Sequence, residues 1–120
     1  MVNTNMIAFD GAGALNLTFA SALTSADEGK PVEITADKTV SVAAAGKTIH
    51  GKAIKVEKDG AVNVQVKGYV EFPYTGTTVP KVGYSKLVSD GTGAKVDDTT
   101  GREYLVLSVD TANKIVGILL

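Results

Sequence analysis

The chain has no cysteine, no tryptophan and a single histidine, His50. Without cysteine there is no disulfide, no thiolate nucleophile and no Cys-ligated zinc or iron–sulfur cluster. One imidazole is too few for a His-based metal site of the usual kind. A Ser–His–Asp arrangement would have to recruit His50, yet no G-x-S-x-G elbow accompanies it. No enzymatic activity and no cofactor are therefore expected. Apolar runs are short and none approaches the roughly 20 residues of a membrane-spanning helix. The N-terminal sequence MVNTNMIAFDGAGALN has neither a basic n-region nor a long apolar core, so no signal peptide is expected. An excess of either charge is missing too. Twelve basic residues against thirteen acidic ones leave a formal charge of −1. That balance gives no electrostatic footprint for nucleic acid or an anionic membrane, and neither is expected as a direct partner.

What remains is a globular composition with a strong bias toward strands. Hydrophobic residues make up 44% of the 120 and charged residues 21%, which suits one folded domain. Val, Thr and Ile occur 16, 13 and 6 times against 8 Leu. Such β-branched side chains are stiff at χ1 and pack well on a pleated surface. Thirteen glycines punctuate the chain. Short runs between regular turn signals predict an all-β fold, a small antiparallel β-barrel or β-sandwich. The division expected is an extended N-terminal arm over residues 1–14 and a single β domain over 15–120. The one helical turn expected lies within residues 21–29, with Ser25 as its N-cap.

The clearest strand signal is AVNVQVKGYVEF, residues 61–72. Val62, Val64, Val66, Gly68, Val70 and Phe72 share one face, and Asn63, Gln65, Lys67, Tyr69 and Glu71 share the other. The run exceeds a typical strand, so Gly68 is expected to mark a bulge or bend. Upstream, a three-residue loop Lys58-Asp59-Gly60 would pair Val56 with Val62 and Ile54 with Val64, with Gly60 left-handed. A second hairpin is expected around Thr111-Ala112-Asn113, pairing Val109 with Ile115 and placing Asn113 left-handed. Its strands are apolar on both faces, as in Leu105-Val106-Leu107 and Ile118-Leu119-Leu120. They should be central, or covered on one face by another subunit. A third hairpin is expected around Asp37-Lys38, and residues 15–20 read as a further strand. Residues 73–102 read as surface loops holding one short strand over 84–88.

Two acidic segments invite other readings. Asp90-Gly-Thr-Gly-Ala-Lys95 has fragments of a phosphate loop, but the Walker spacing is absent and Val96 follows the lysine, so a β-turn is expected. Asp97-Asp98, with Asp90 nearby, offers oxygen ligands to calcium without EF-hand spacing, and reads as a solvated turn. His50 reads as a strand-end residue. Charge is uneven, with −3 over residues 1–29, +3 over 30–67 and −1 over 68–120. Lysines dotted along an outer sheet face account for the basic middle and discourage edge pairing. Tyr69, Phe72, Tyr74 and Tyr84 cluster in one stretch. They serve either as contact residues or as a cap on the core.

The layout then resembles a known family. A small-residue arm precedes Glu28-Gly-Lys-Pro-Val-Glu-Ile34 and Asp37-Lys-Thr-Val-Ser-Val42. The segment GKTIHGKAIKVEKDGAVNVQVKGYVEF follows, then a Gly/Tyr loop and the closing EYLVLSVD…KIVGILL. Over residues 28–120 this resembles the capsid decoration, or cement, proteins of tailed bacteriophages; Lys52-Ala53, where a more apolar step is expected, departs from the pattern. The resemblance implies a structural virion protein, made in the bacterial cytoplasm and bound to the capsid exterior at subunit junctions. Its partner would be the major capsid protein. A homo-oligomer, in many such proteins a trimer, is also implied. Partner contacts are expected from Met6, Ile7 and Phe9 of the arm and from Tyr69, Phe72, Tyr74 and Tyr84. The rival expectation is a free-standing β-sandwich binding module, for example for carbohydrate, against which the lack of tryptophan counts.

Overall fold

A computed structural model of the chain describes residues 13–120, and Met6, Ile7 and Phe9 lie outside them. The fold is all-β. Among the described residues, ten strands divide at Gly68 into two groups of five. The first group is β1 (Leu15–Phe19), β2 (Pro31–Ala36), β3 (Thr39–Val42), β4 (Gly51–Val56) and β5 (Val62–Lys67). It forms a sheet in the order β1-β5-β4-β2-β3. The second group is β6 (Tyr69–Thr75), β7 (Gly83–Ser89), β8 (Ala94–Val96), β9 (Arg102–Asp110) and β10 (Ile115–Leu119). It closes into a barrel in the order β10-β6-β8-β7-β9. Every named pair is antiparallel except β6 with β8, a departure from the purely antiparallel expectation.

The long alternating run is the seam between the two groups. Gly68, at φ +100°, bends the chain out of one sheet and into the other. Val62 and Val64 point into the first core, while Val70, Phe72 and Tyr74 point into the barrel. Crossing between sheets also overturns a simple in/out reading. Gln65 and Tyr69 lie on the more polar face of the alternation, yet they are 9% and 6% exposed. The Gln65 amide donates to the carbonyls of Lys67 and Tyr69, which ties down both sides of the bend. Two hydrophobic cores result.

Turn chemistry fixes the hairpins. The Lys58-Asp59-Gly60 loop forms as expected, with Gly60 at φ +89° and Val56 opposite Val62. Beyond that the register slips. Ala53 faces Val64, and Ile54 is bulged outward at 40% exposure. A bulge lets the small Ala53 fill a fully buried position that Ile54 would overpack. In the C-terminal hairpin the loop gains a residue. Val109 faces Val116, Asp110 faces Ile115, and Lys114, not Asn113, is left-handed at φ +54°. The Asp110 carboxylate accepts from the backbone N–H groups of Ala112 and Asn113 and from the Asn113 amide, which winds the wider turn. The β2–β3 turn at Asp37-Lys38 forms, with Lys38 at φ +53°. The helical turn is a single 3₁₀ turn, Ser25–Asp27, with Thr24 rather than Ser25 as N-cap. There the Asp27 carboxylate accepts from the Thr24 N–H and pairs with Lys30 at 2.9 Å. Residues 73–102 are more ordered than loops. They hold the end of β6, all of β7 and the short β8, whose three residues carry no readable period.

The first sheet curls without closing. Its outer strands meet at one point, where Ala20 donates to Lys38 O at 2.8 Å and accepts from the Val40 N–H at 3.0 Å. The two halves are joined by the β3–β4 connection. Ile49, fully buried, leaves the first sheet and plugs the barrel core. Its N–H donates to the Tyr104 hydroxyl at 3.1 Å, and the same hydroxyl donates to its carbonyl at 2.6 Å. Ser89, also fully buried, donates its hydroxyl to Ala43 O at 2.6 Å. Replacing Tyr104 by Phe keeps the ring and strands both polar groups of Ile49. We expect a loss of about 1–3 kcal/mol for each of the two groups left unpaired, read as a lower denaturant midpoint with an unchanged slope.

Candidate docking face

Register alone brings the exposed apolar residues of the barrel together. Directly opposed residues of neighbouring strands share a face. Tyr84 of β7 faces Leu105 of β9, which faces Leu119 of β10. The row one residue over, Gly83–Val106–Ile118–Val70, points inward, and its three side chains are at most 3% exposed. The Tyr84–Leu105–Leu119 row therefore points outward. Tyr84 is 73% exposed, Leu119 40%, and Leu105 is half-buried. Val82 at 70% and Val79 lie in the approach to β7 and extend the patch. The adjacent outward row sets Lys86 opposite Glu103, so opposite charges border the apolar strip. A shallow cleft of about 370 Å³ runs alongside, lined by Val79, Tyr84, Lys86, Val96, Asp98 and Glu103.

The same outward surface is covered at the β6 side. Tyr69, opposite Leu119, lays its ring across Gly117 and reaches Ser108 Oγ and Glu71 Oε2, each at 2.8 Å. A Cβ at position 117 would collide with that hydroxyl, so glycine is what admits the ring. The exposed strip thus begins where Tyr69 ends.

The sequence-predicted contact residues separate accordingly. Phe72 is fully buried, and Tyr74 and Tyr69 are 4% and 6% exposed. These three do not present a surface to a partner; their rings fill the barrel interior or its covered flank. Tyr84 alone is presented. Met6, Ile7 and Phe9 lie outside the described residues. Val79, Val82 and Leu119 were not singled out as contacts. The signal for Leu119 was there, in strands apolar on both faces. Val82 sits in a Gly/Pro-rich stretch with no period to read.

The remaining candidates are structural. The His50 N–H donates to Val32 O, and its Nδ1 accepts from the Ile34 N–H at 2.9 Å, so the imidazole caps the edge of β2 as a strand-end residue. The segment from Asp90 to Lys95 is the β7–β8 turn. Asp90 accepts from the backbone N–H of Thr92 and Gly93 and from the Thr75 hydroxyl at 2.6 Å. Asp97 accepts from the N–H groups of Thr99 and Thr100 and from the Thr100 hydroxyl. Among the described residues no group of three or more His, Asp or Glu converges to hold a metal ion.

Two expectations follow. Tyr84→Ser should leave stability within about 0.5 kcal/mol of the parent, as for other surface changes. Phe72→Ser should cost at least the about 3–5 kcal/mol of a large core truncation. Thermal melts of the two variants side by side check this. For Asp90, burial pushes the carboxyl up, but the Thr75 hydroxyl and the Gly93 and Thr92 N–H groups outweigh it and hold the pKa below the ordinary value. A depressed native pKa contributes stability that is present above the unfolded carboxylate range, about pH 3.9, and lost as pH falls through the native value. Denaturant midpoints should therefore fall below about pH 4, and Asp90→Asn should show a smaller fall. No family model, curated protein or solved structure matches the chain.

Proposed function

We propose that this protein is a structural component that binds the outside of an assembled bacteriophage capsid and stabilises it. The observation that carries the reading is the outward row Tyr84–Leu105–Leu119, with Val82 and Val79 beside it. A barrel that has buried its other aromatics keeps a tyrosine 73% exposed at the end of an apolar strip. Tyrosine in such a position offers large contact area with a polar tip and little rotamer entropy to lose. The charged border of Lys86 and Glu103 matches the polar rim of a binding face. The sequence resemblance over residues 28–120 supplies the partner class, the major capsid protein.

The mechanism is linkage. A ligand that binds the assembled lattice and not the free subunits stabilises the lattice by RT ln(1 + [L]/Kd) at each site. Nothing needs to react. The face has only to match a surface that exists when subunits meet.

The test is an inventory of purified particles from the source culture. The protein should be present in a fixed ratio to the major capsid protein. A Tyr84→Ser, Leu119→Ser variant, folded by its melt, should lose at least tenfold in particle occupancy. Absence from particles overturns the reading. It would turn attention to the cleft where Tyr84 stands beside Asp98 and Glu103, an aromatic-and-carboxylate setting suited to a carbohydrate.

A further inference from the structure

The barrel has no free strand edge, because β9 and β10 close it. The first sheet does have one. β1 pairs with β5 along its length, and its other edge meets the described residues only at its very end, through the bridge of Ala20 with Thr39. Natural edges are usually protected by a charge, a proline or closure. β1, with sequence LNLTF, carries neither charge nor proline. Its side chains add a second anomaly. Leu17 faces Val64 and Phe19 faces Val62, so these two lie on the core side of the sheet, while Leu15 faces Lys67 across a register shift. Val62 and Val64 are at most 1% exposed, yet Leu17 is 47% and Leu15 46% exposed. The core surface runs on beyond its cover, next to a backbone edge that the described residues leave unpaired.

We propose that β1 is a self-pairing edge. A second copy of this chain adds its own β1 antiparallel to the first, about a twofold axis at Leu17, and the two five-stranded sheets become one of ten. The occupant is argued from the strand itself. A twofold axis at Leu17 pairs Leu15 with Phe19 of the copy, Asn16 with Thr18 and Leu17 with itself. This register gives all five residues a partner, apolar to apolar on the core side and polar to polar on the other. Such isologous self-complementarity is what a twofold interface demands. With no charge on either strand, nothing in the ladder repels its copy, and each Leu15 and Leu17 gains a neighbour across the new seam. A five-residue ladder buries less than the roughly 1,200 Å² of a stable specific interface. The pairing is therefore weak and exchanging in solution, and a trap is the right probe. This inference does not depend on the capsid reading.

The chain's lack of cysteine makes the trap clean. Leu17→Cys in the full chain places the two sulfurs opposite each other, at the Cα separation of about 4.5–5.5 Å that a disulfide accepts. Leu15→Cys is the control. In the proposed register the two copies of residue 15 lie about four residues apart along the strand, roughly 13 Å, too far to bridge. Under mild oxidation the Leu17→Cys protein should form a covalent dimer at least tenfold faster than Leu15→Cys, with both folded by their reduced-state melts. Sedimentation of the unaltered protein should show a concentration-dependent dimer. Leu17→Lys, which sets two ammonium groups face to face, should weaken that dimer at least tenfold. Equal trapping at 15 and 17, or no trapping and a monomer at every concentration, overturns the proposal and gives the β1 edge to a different strand.

Discussion

The Tyr104 hydroxyl holds the two halves of the molecule together. It accepts from one end of the Ile49 peptide and donates to the other, inside a fully buried setting. Ile49 belongs by sequence to the connection between β3 and β4 of the first sheet, and by packing to the barrel. Without the hydroxyl, its N–H and C=O would enter an apolar core unpaired, at a cost of order 1–3 kcal/mol each. With it, a loop residue becomes a plug. Burial pushes the Tyr104 phenol above its ordinary range, so it stays protonated and able to donate at any physiological pH. Its neighbours follow the same plan. Ser89 donates from the end of β7 to Ala43 O, and the backbone of residues 46–47 exchanges two further hydrogen bonds with Ser89. The first sheet is thereby docked through satisfied polar groups, leaving its apolar side chains for its own core.

Gly68 sets the other half of that relationship. A strand that passes from one sheet to another must turn its faces, because alternate side chains cannot serve two cores that lie at an angle. A positive φ of 100° makes the turn in one residue. Residues that alternate with the core positions then fall in the crease between the sheets. Gln65 and Tyr69 are buried there, the Gln65 amide N–H groups and the Tyr69 hydroxyl each hydrogen-bonded. The crease explains why Tyr69 is covered while Tyr84, on the far side of the same barrel surface, is not.

Much of this was legible in the residues. Period-two alternation over residues 61–72 located β5 and β6 and placed the bend at Gly68, because a long unbroken pattern needs a break to fit a small fold. Asp59-Gly60 located its hairpin, because φ > 0 at a defined loop position selects glycine. What escaped depends on side-chain contacts that backbone patterning does not encode, some local and some distant in sequence. The slip that exchanges Ile54 for Ala53 is set by the space beside Val64. Wind in the last turn is set by the Asp110 carboxylate. Burial of Phe72 and Tyr74 follows from barrel closure, which no local pattern encodes. An aromatic cluster reads the same whether it fills a core or waits for a partner. Strands β9 and β10 were the informative exception, since their second apolar face needed either a neighbour or a function.

Closure and its absence divide the binding properties of the two halves. A closed barrel has no backbone left to offer, so its outward row acts through side chains alone, Tyr84 foremost. A face of that size is modest. Association costs an estimated 4–15 kcal/mol before any contact is gained, and a few half-exposed apolar residues leave little surplus. Such a face becomes effective when it is presented more than once. A second attachment made within a linked pair proceeds at an effective concentration set by geometry, and overall avidity then exceeds the single-site affinity by about 10²–10⁴. The open edge of β1 lies on the other sheet from the Tyr84 row. Pairing there would couple two such faces. A repeating lattice is the kind of target that rewards this arrangement, because a rigid pair gains from two sites only where the sites recur at a fixed spacing.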